Sequence, residues 1–168
     1  MKKLIALTGT LVLAAGAAIA LADNDRDQDN DRHDGCHNIR ATIIDAPTTD
    51  GCTSPFSFCA AGEVTGNHGL DGSTYYTFDG FANAPATAPG LGESTGILVY
   101  TTSRGTLTVR ETGVGNMGAQ ALGGVGASLE QVISGTGRFT GASGTLYLAS
   151  TATGGQYTAI VTGALCYP

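Results

Sequence analysis

The chain has no tryptophan, and beyond Lys3 it has no lysine. Proline is scarce, at 5 of 168 residues, and charged residues make up only 13%. Each shortage excludes something. The six arginines (Arg26, Arg32, Arg40, Arg104, Arg110, Arg138) are scattered singly. No basic patch exists to release counterions from a phosphate backbone, so the sequence argues against nucleic acid as a partner. Anionic membrane surfaces are disfavoured for the same reason. Past the N-terminal segment no apolar run keeps a helical period, which argues against amphipathic helices. The four cysteines contain no Cys-x-x-Cys pair, which disfavours zinc. There is no Gly-x-Ser-x-Gly elbow. The three histidines (His33, His37, His68) all lie in the first part of the chain, so a Ser-His-Asp set is hard to build. Gly135-x-Gly137 is not followed by a helical pattern, so it is no dinucleotide loop. The sequence implies no cofactor and no metal.

What is present is glycine, 26 residues of it, with Thr, Val, Ile, Tyr and Phe recurring between. That composition favours short strands and many turns. Residues 1–22 read as a secretory signal peptide. Lys2 and Lys3 form the positive start, Leu4 to Ala20 is apolar, and Ala20-Leu21-Ala22 is a small-x-small cleavage site. The alternative is a transmembrane anchor. The acidic polar stretch that follows favours cleavage, and no cysteine lies near enough for a lipid anchor. The expected location is secreted or periplasmic, with no membrane contact after cleavage. Six arginines against 14 acids then leave a net charge of −8.

Residues 23–35 read as a disordered acidic linker, because Asp23 to Asp34 contains no apolar residue to offset the entropy of ordering. Aspartates at alternate positions suggest calcium. An EF-hand loop, however, needs Gly at its sixth position and Glu at its twelfth, and here Gln28 and Asp34 stand there.

Residues 36–168 form the expected folded domain. Strands are expected over His37–Asp45, Cys59–Thr65, Ser73–Phe81, Thr95–Thr102, Gly105–Thr112, Ala127–Ser134, Thr145–Thr151 and Gln156–Cys166. Ala46–Gly51 reads as a turn, Asn83–Gly92 as an open loop, and Gly113–Gly126 as a mobile loop at one end. About eight such strands fit a β-sandwich or a small barrel. Cys36, Cys52, Cys59 and Cys166 are an even set in an exported chain, which reads as two disulfides with three connectivities. The preferred one is Cys52–Cys59, closing a short loop, with Cys36–Cys166 joining the chain ends. The first and last strands of a closed barrel are neighbours, so that pairing suits a barrel.

One stretch is more specific. From Ile133 to Leu146, four glycines (Gly135, Gly137, Gly141, Gly144) surround Phe139, the only large apolar side chain between the flanking strands. This reads as a loop folded over the end of a sheet and closed by Phe139. Val132-Ile133-Ser134-Gly135-Thr136-Gly137-Arg138-Phe139, followed by Gly141-Ala142 and Gly144, resembles a turn segment of the allene oxide cyclase-like and dirigent-like barrels, bacterial secreted members above all. The resemblance extends from the Cys52 region to the C-terminus. It implies an all-β, eight-stranded antiparallel barrel, with the β-sandwich as the alternative. In those relatives Gly135, Thr136, Gly137, Phe139 and Gly141 would correspond to a structural turn. The family's cyclases steer a reactive oxidised lipid to ring closure, and its dirigent members orient phenoxy radicals. Both act by placement. The resemblance thus implies a cyclase or isomerase reaction type and a dimer or trimer, and it carries no catalytic residue onto this chain.

Ile97-Leu98-Val99-Tyr100 and Ala159-Ile160-Val161 are apolar on both faces, as strands buried on two sides are. Such strands line a barrel cavity or fill a solid core. Glu111 shares a strand face with Leu107 and Val109, and Glu130 with Ser128 and Val132. Facing inward, they become candidate proton donors or acceptors with raised pKa; the plainer reading is a pair of solvated rim residues. Tyr75, Tyr100 and Tyr147 are candidate pocket residues, with ordinary packing as the alternative. The functional expectation is a secreted barrel that binds a small apolar or phenolic molecule. The alternative is a structural or adhesive surface module. An internal void of ~300 Å³ or more separates the two.

Overall fold

A computed structural model describes residues 35–83, 85–116 and 123–167. The signal segment and residues 23–34 of the acidic linker lie outside these. Eight strands follow one another: β1 (Cys36–Thr48), β2 (Cys59–Gly66), β3 (Gly72–Asn83), β4 (Gly92–Thr102), β5 (Gly105–Gly115), β6 (Gly124–Gly135), β7 (Ser143–Thr153) and β8 (Gln156–Cys166). Each pairs antiparallel with the next, and β8 returns to pair with β1, so the sheet is a closed barrel rather than a sandwich. The β1–β8 seam runs from Cys36↔Cys166 to Asp45↔Tyr157. Closure leaves no unpaired edge along the seam. Cys36–Cys166 ties the seam at one end, and Cys52–Cys59 closes the β1–β2 connection.

Several strands run further than the sequence suggests. β1 continues through Ala46 and Pro47 to Thr48, where a turn was expected. Beyond Asp45 it has lost β8 and has only β2 beside it, through Pro47↔Ala60. Proline is tolerated there as it is on a sheet edge. β5 and β6 likewise extend into the expected 113–126 loop, through Gly113↔Ser128, Val114↔Ala127 and Gly115↔Gly126. These glycines are ladder residues, and only 117–122 of that stretch lie outside the described residues.

Side-chain size grades along the barrel. At the end holding Cys36 and Cys166 the interior is filled by Ile39, Leu70, Tyr100, Leu107, Leu146 and Leu165, all buried. Phe139 closes this end. It stands on a 3-10 turn, Gly137–Phe139, and is fully buried, its ring meeting Tyr167 edge-on at 5.6 Å. Gly137 makes the turn possible. Its φ is +58°, and a Cβ there would stand 2.3 Å from the Arg104 carbonyl oxygen. The backbone N–H of Arg138 donates to that same oxygen at 2.8 Å. At the other end the inward positions are small: Gly96, Gly113, Gly126, Ser94, Ser128 and Ser150.

Two outcomes test this packing. Phe139→Ala removes the plug and leaves a void, and should cost about 3–5 kcal/mol in urea unfolding. Replacing Cys36 and Cys166 together by serine should cost about 2–5 kcal/mol, because the link spans nearly the whole domain. A loss below ~1 kcal/mol in either variant would contradict the assigned roles.

Candidate functional site

The small inward residues leave a cavity of about 330 Å³ in the half of the barrel away from Phe139. Its walls are mostly apolar: Ile43, Ala60, Leu98, Leu148 and Ala159. Among the described residues its mouth is rimmed by Phe56, Val114, Asn116 and Val125. The Cys52–Cys59 loop places two aromatics at this rim. Phe56 meets Phe78 edge-on at 5.1 Å, and Phe58 meets both Phe78 and Tyr157, at 6.0 and 6.2 Å. Ser57, between the two loop phenylalanines, has φ +55°, an uncommon backbone state for a residue with a side chain. Phe56 remains 55% exposed although it is a large apolar group. The disulfide therefore holds an aromatic lip over an apolar chamber.

The polar groups of the lining are two carboxyls, Asp45 and Glu111, two tyrosines, Tyr76 and Tyr157, three serines and Asn116. Asp45, near the end of β1, is buried and accepts a hydrogen bond from the Thr74 hydroxyl. Burial raises its pKa, and the Thr74 bond offsets part of that rise. Glu111 lines the cavity and accepts from the Ser128 hydroxyl at 2.8 Å. Its pKa is also raised, chiefly by burial. Glu130 lies directly across the β5–β6 ladder from Glu111 and is fully buried. The Tyr100 hydroxyl donates to its Oε2 at 2.7 Å, while Oε1 has no partner among the described residues. Burial first, and the neighbouring Glu111 charge second, push Glu130 up to about 8. At neutral pH it is mainly a neutral carboxylic acid. The hydroxyls of Tyr76 and Tyr157, also in the lining, are shifted upward by burial and stay protonated. The cation nearest on β5, Arg110, is paired with Asp79.

The plain expectation of two solvated rim carboxylates is corrected. β5 and β6 present Glu111 and Glu130 to the interior because Leu107 and Val109, and Val132, face the core on the same strand sides. The three tyrosines are not brought together. Tyr100 is buried beneath the cavity as the partner of Glu130. Tyr75 donates to the Asp50 carbonyl oxygen outside the cavity lining. Tyr147 stands 54% exposed on the outer face, opposite Leu129. Strand parity explains the difference, since Tyr76 and not Tyr75 occupies the inward position on β3. Sequence reasoning missed Asp45, Phe56, Phe58, Tyr76, Phe78 and Tyr157. A usable signal was present in two phenylalanines held within a short cysteine-closed loop.

Away from the cavity, His37 packs between His68 and Tyr167 with ring centroids 4.7 and 4.8 Å apart. The Tyr167 hydroxyl donates to the His68 carbonyl oxygen at 3.1 Å. No cluster of three metal-ligating side chains occurs among the described residues.

The raised carboxyl pKa values fix a sign for stability against pH. Glu130 in the unfolded chain ionises in the ordinary carboxylate range, whereas in the barrel it keeps its proton to about pH 8. Between those limits the folded state binds more protons, so stability falls as pH rises, by about 1.4 kcal/mol per unit. Glu130→Gln should flatten urea-derived stability across that window. The flattening is partial, because Asp45 and Glu111 contribute slopes of the same sign. An unchanged slope would show that Glu130 is ionised in the folded protein. Comparison with known proteins finds no matching family, curated protein or solved structure.

Proposed function

We propose that this domain is an exported binding barrel that takes one small, largely apolar or aromatic molecule through the mouth rimmed by Phe56. The observation that carries this reading is the cavity of about 330 Å³, which reaches the size of a small-ligand site. A structural or adhesive module needs no chamber, and a barrel of eight strands has just enough width to be filled completely by side chains. Here glycine and serine occupy inward positions that larger residues would fill. The two disulfides suit an oxidising compartment, in keeping with export.

A second reading, a cyclase or isomerase, draws on one further observation. Glu130 is a buried neutral acid across the ladder from Glu111, which itself faces the cavity. Such a rung could donate a proton to a bound ligand and take one back. The resemblance of the Val132–Gly144 segment to allene oxide cyclase-like barrels supports the same reaction class. A homo-oligomer, also implied by that resemblance, would cover the exposed outer stripe of Leu129, Tyr147 and Ile160.

Native mass spectrometry of protein purified from its source, followed by a lipid and phenolic screen, tests the binding reading. A bound mass or a saturable binder is expected. Ser150→Phe, which fills the chamber, should abolish binding, and Phe58→Ala should weaken it roughly tenfold through lost aromatic burial. No bound mass, no binder, and no effect of Ser150→Phe would end the proposal.

A further inference from the structure

We propose that the barrel selects ligands carrying a cationic nitrogen, such as a primary or secondary ammonium on an apolar or aromatic body. This rests on the binding reading and names the ligand class for that same chamber.

The argument starts from the sign of the charges that face the chamber. The ionisable groups in its lining are Asp45 from β1, Tyr76 from β3, Glu111 from β5 and Tyr157 from β8. Behind them on β6 stands Glu130, with Tyr100 of β4 bonded to it. Among the described residues no Arg, Lys or His belongs to the lining. Arg110 pairs with Asp79, and His37 and His68 pack with Tyr167 at the opposite, plugged end. Two lining acids, with Glu130 behind them on a third strand, thus share one interior that no cation enters among the described residues.

Such an arrangement is costly in the empty barrel. An ionised carboxylate in a low-dielectric interior loses several kcal/mol of hydration unless an opposite charge repays it. The interior avoids that loss in part by holding protons, and Glu130 Oε1 has no hydrogen-bond partner among the described residues. Hydroxyl groups satisfy only one oxygen each of Asp45 and Glu111, through Thr74 and Ser128. A ligand ammonium would bring both the missing charge and several N–H donors to Glu111 and Asp45. A ligand carboxylate would meet the same groups with the wrong sign. Neutral ligands would gain the apolar walls and the aromatic lip but leave the acids as they are. Entry of the cation would favour ionised Glu111 and Asp45, so binding should release a proton to solvent when the acid was protonated beforehand.

Three probes sharing one ring system separate charge from shape: 1-naphthylmethylammonium, 1-naphthylmethanol and 1-naphthoate. The chain has no tryptophan, so naphthalene fluorescence can be followed directly. At neutral pH the ammonium should bind at least about tenfold more tightly than the alcohol, and the naphthoate most weakly. Any proton release, read by calorimetry in buffers of different ionisation heat, should be confined to the ammonium. Glu111→Gln should bring the ammonium-to-alcohol ratio towards one, and Asp45→Asn serves the same purpose if the first variant does not fold. Tyr147→Ala, on the outer face, should keep the ratio. Equal binding of all three probes, or tightest binding of the naphthoate, overturns the charge preference while the binding chamber stands. Failure of all three to bind at millimolar concentration, with Ser150→Phe indistinguishable from the parent protein, overturns the chamber reading and the preference with it.

Discussion

Closure of the sheet is the constraint on which everything else depends. When β8 pairs with β1, every inward side chain of eight strands is directed into one narrow interior, and none can escape to solvent by shifting sideways. The seam register, Cys36↔Cys166 through Asp45↔Tyr157, sets which residues of the first and last strands look inward. A slip of one residue would exchange the faces, expelling Ile39, Ile43 and Val161 and drawing in Arg40 and Thr42. The disulfide at the seam opposes that slip at one end. At the same end the chain turns back through Gly137–Phe139 to seal the core.

Within that enclosure, side-chain volume alone divides the molecule. Tyr100, Leu107, Phe139, Leu146 and Leu165 leave no room at the sealed end. Glycine and serine at inward positions of β4 to β7 leave a chamber at the other. The two halves differ accordingly: the large buried apolar side chains are gathered in the filled half, and the chamber lies in the other. One buried acid stands at their boundary. Glu130 lies there, buried and bonded to Tyr100, which rises from the filled core. A buried acid with one oxygen unpartnered among the described residues lowers stability, and it stands between a solid core and a void.

Much of the architecture could be read before the coordinates. The eight strand segments and the role of Phe139 as a plug follow from local pattern, and the observed disulfides are the preferred one of three connectivities, chosen because a barrel's end strands are neighbours. The chamber was less legible. An inward glycine such as Gly113 looks the same in sequence as a loop glycine, and the stretch around it was read as a loop for that reason. Asp45 shares the parity of Ile39, Ala41 and Ile43, so alternation points it inward, but it is the last residue of the expected strand, where a turn would end the pattern. Tyr75 and Tyr76 are adjacent, and only the β3 register decides between them.

The amino-acid sequence by itself determined that this is an all-β domain with small turns, because period-two alternation and glycine placement act over a few residues. It also determined a domain with eight acids against four arginines and no lysine, which limits the counter-charges available to any interior acid. Only the tertiary structure decided which acids meet. Asp45, Glu111 and Glu130 are far apart along the chain, and strand register brings the two glutamates face to face while barrel curvature sets the aspartate in the chamber that Glu111 lines. Register and curvature are collective properties of all eight ladders, so no local stretch of residues encodes them.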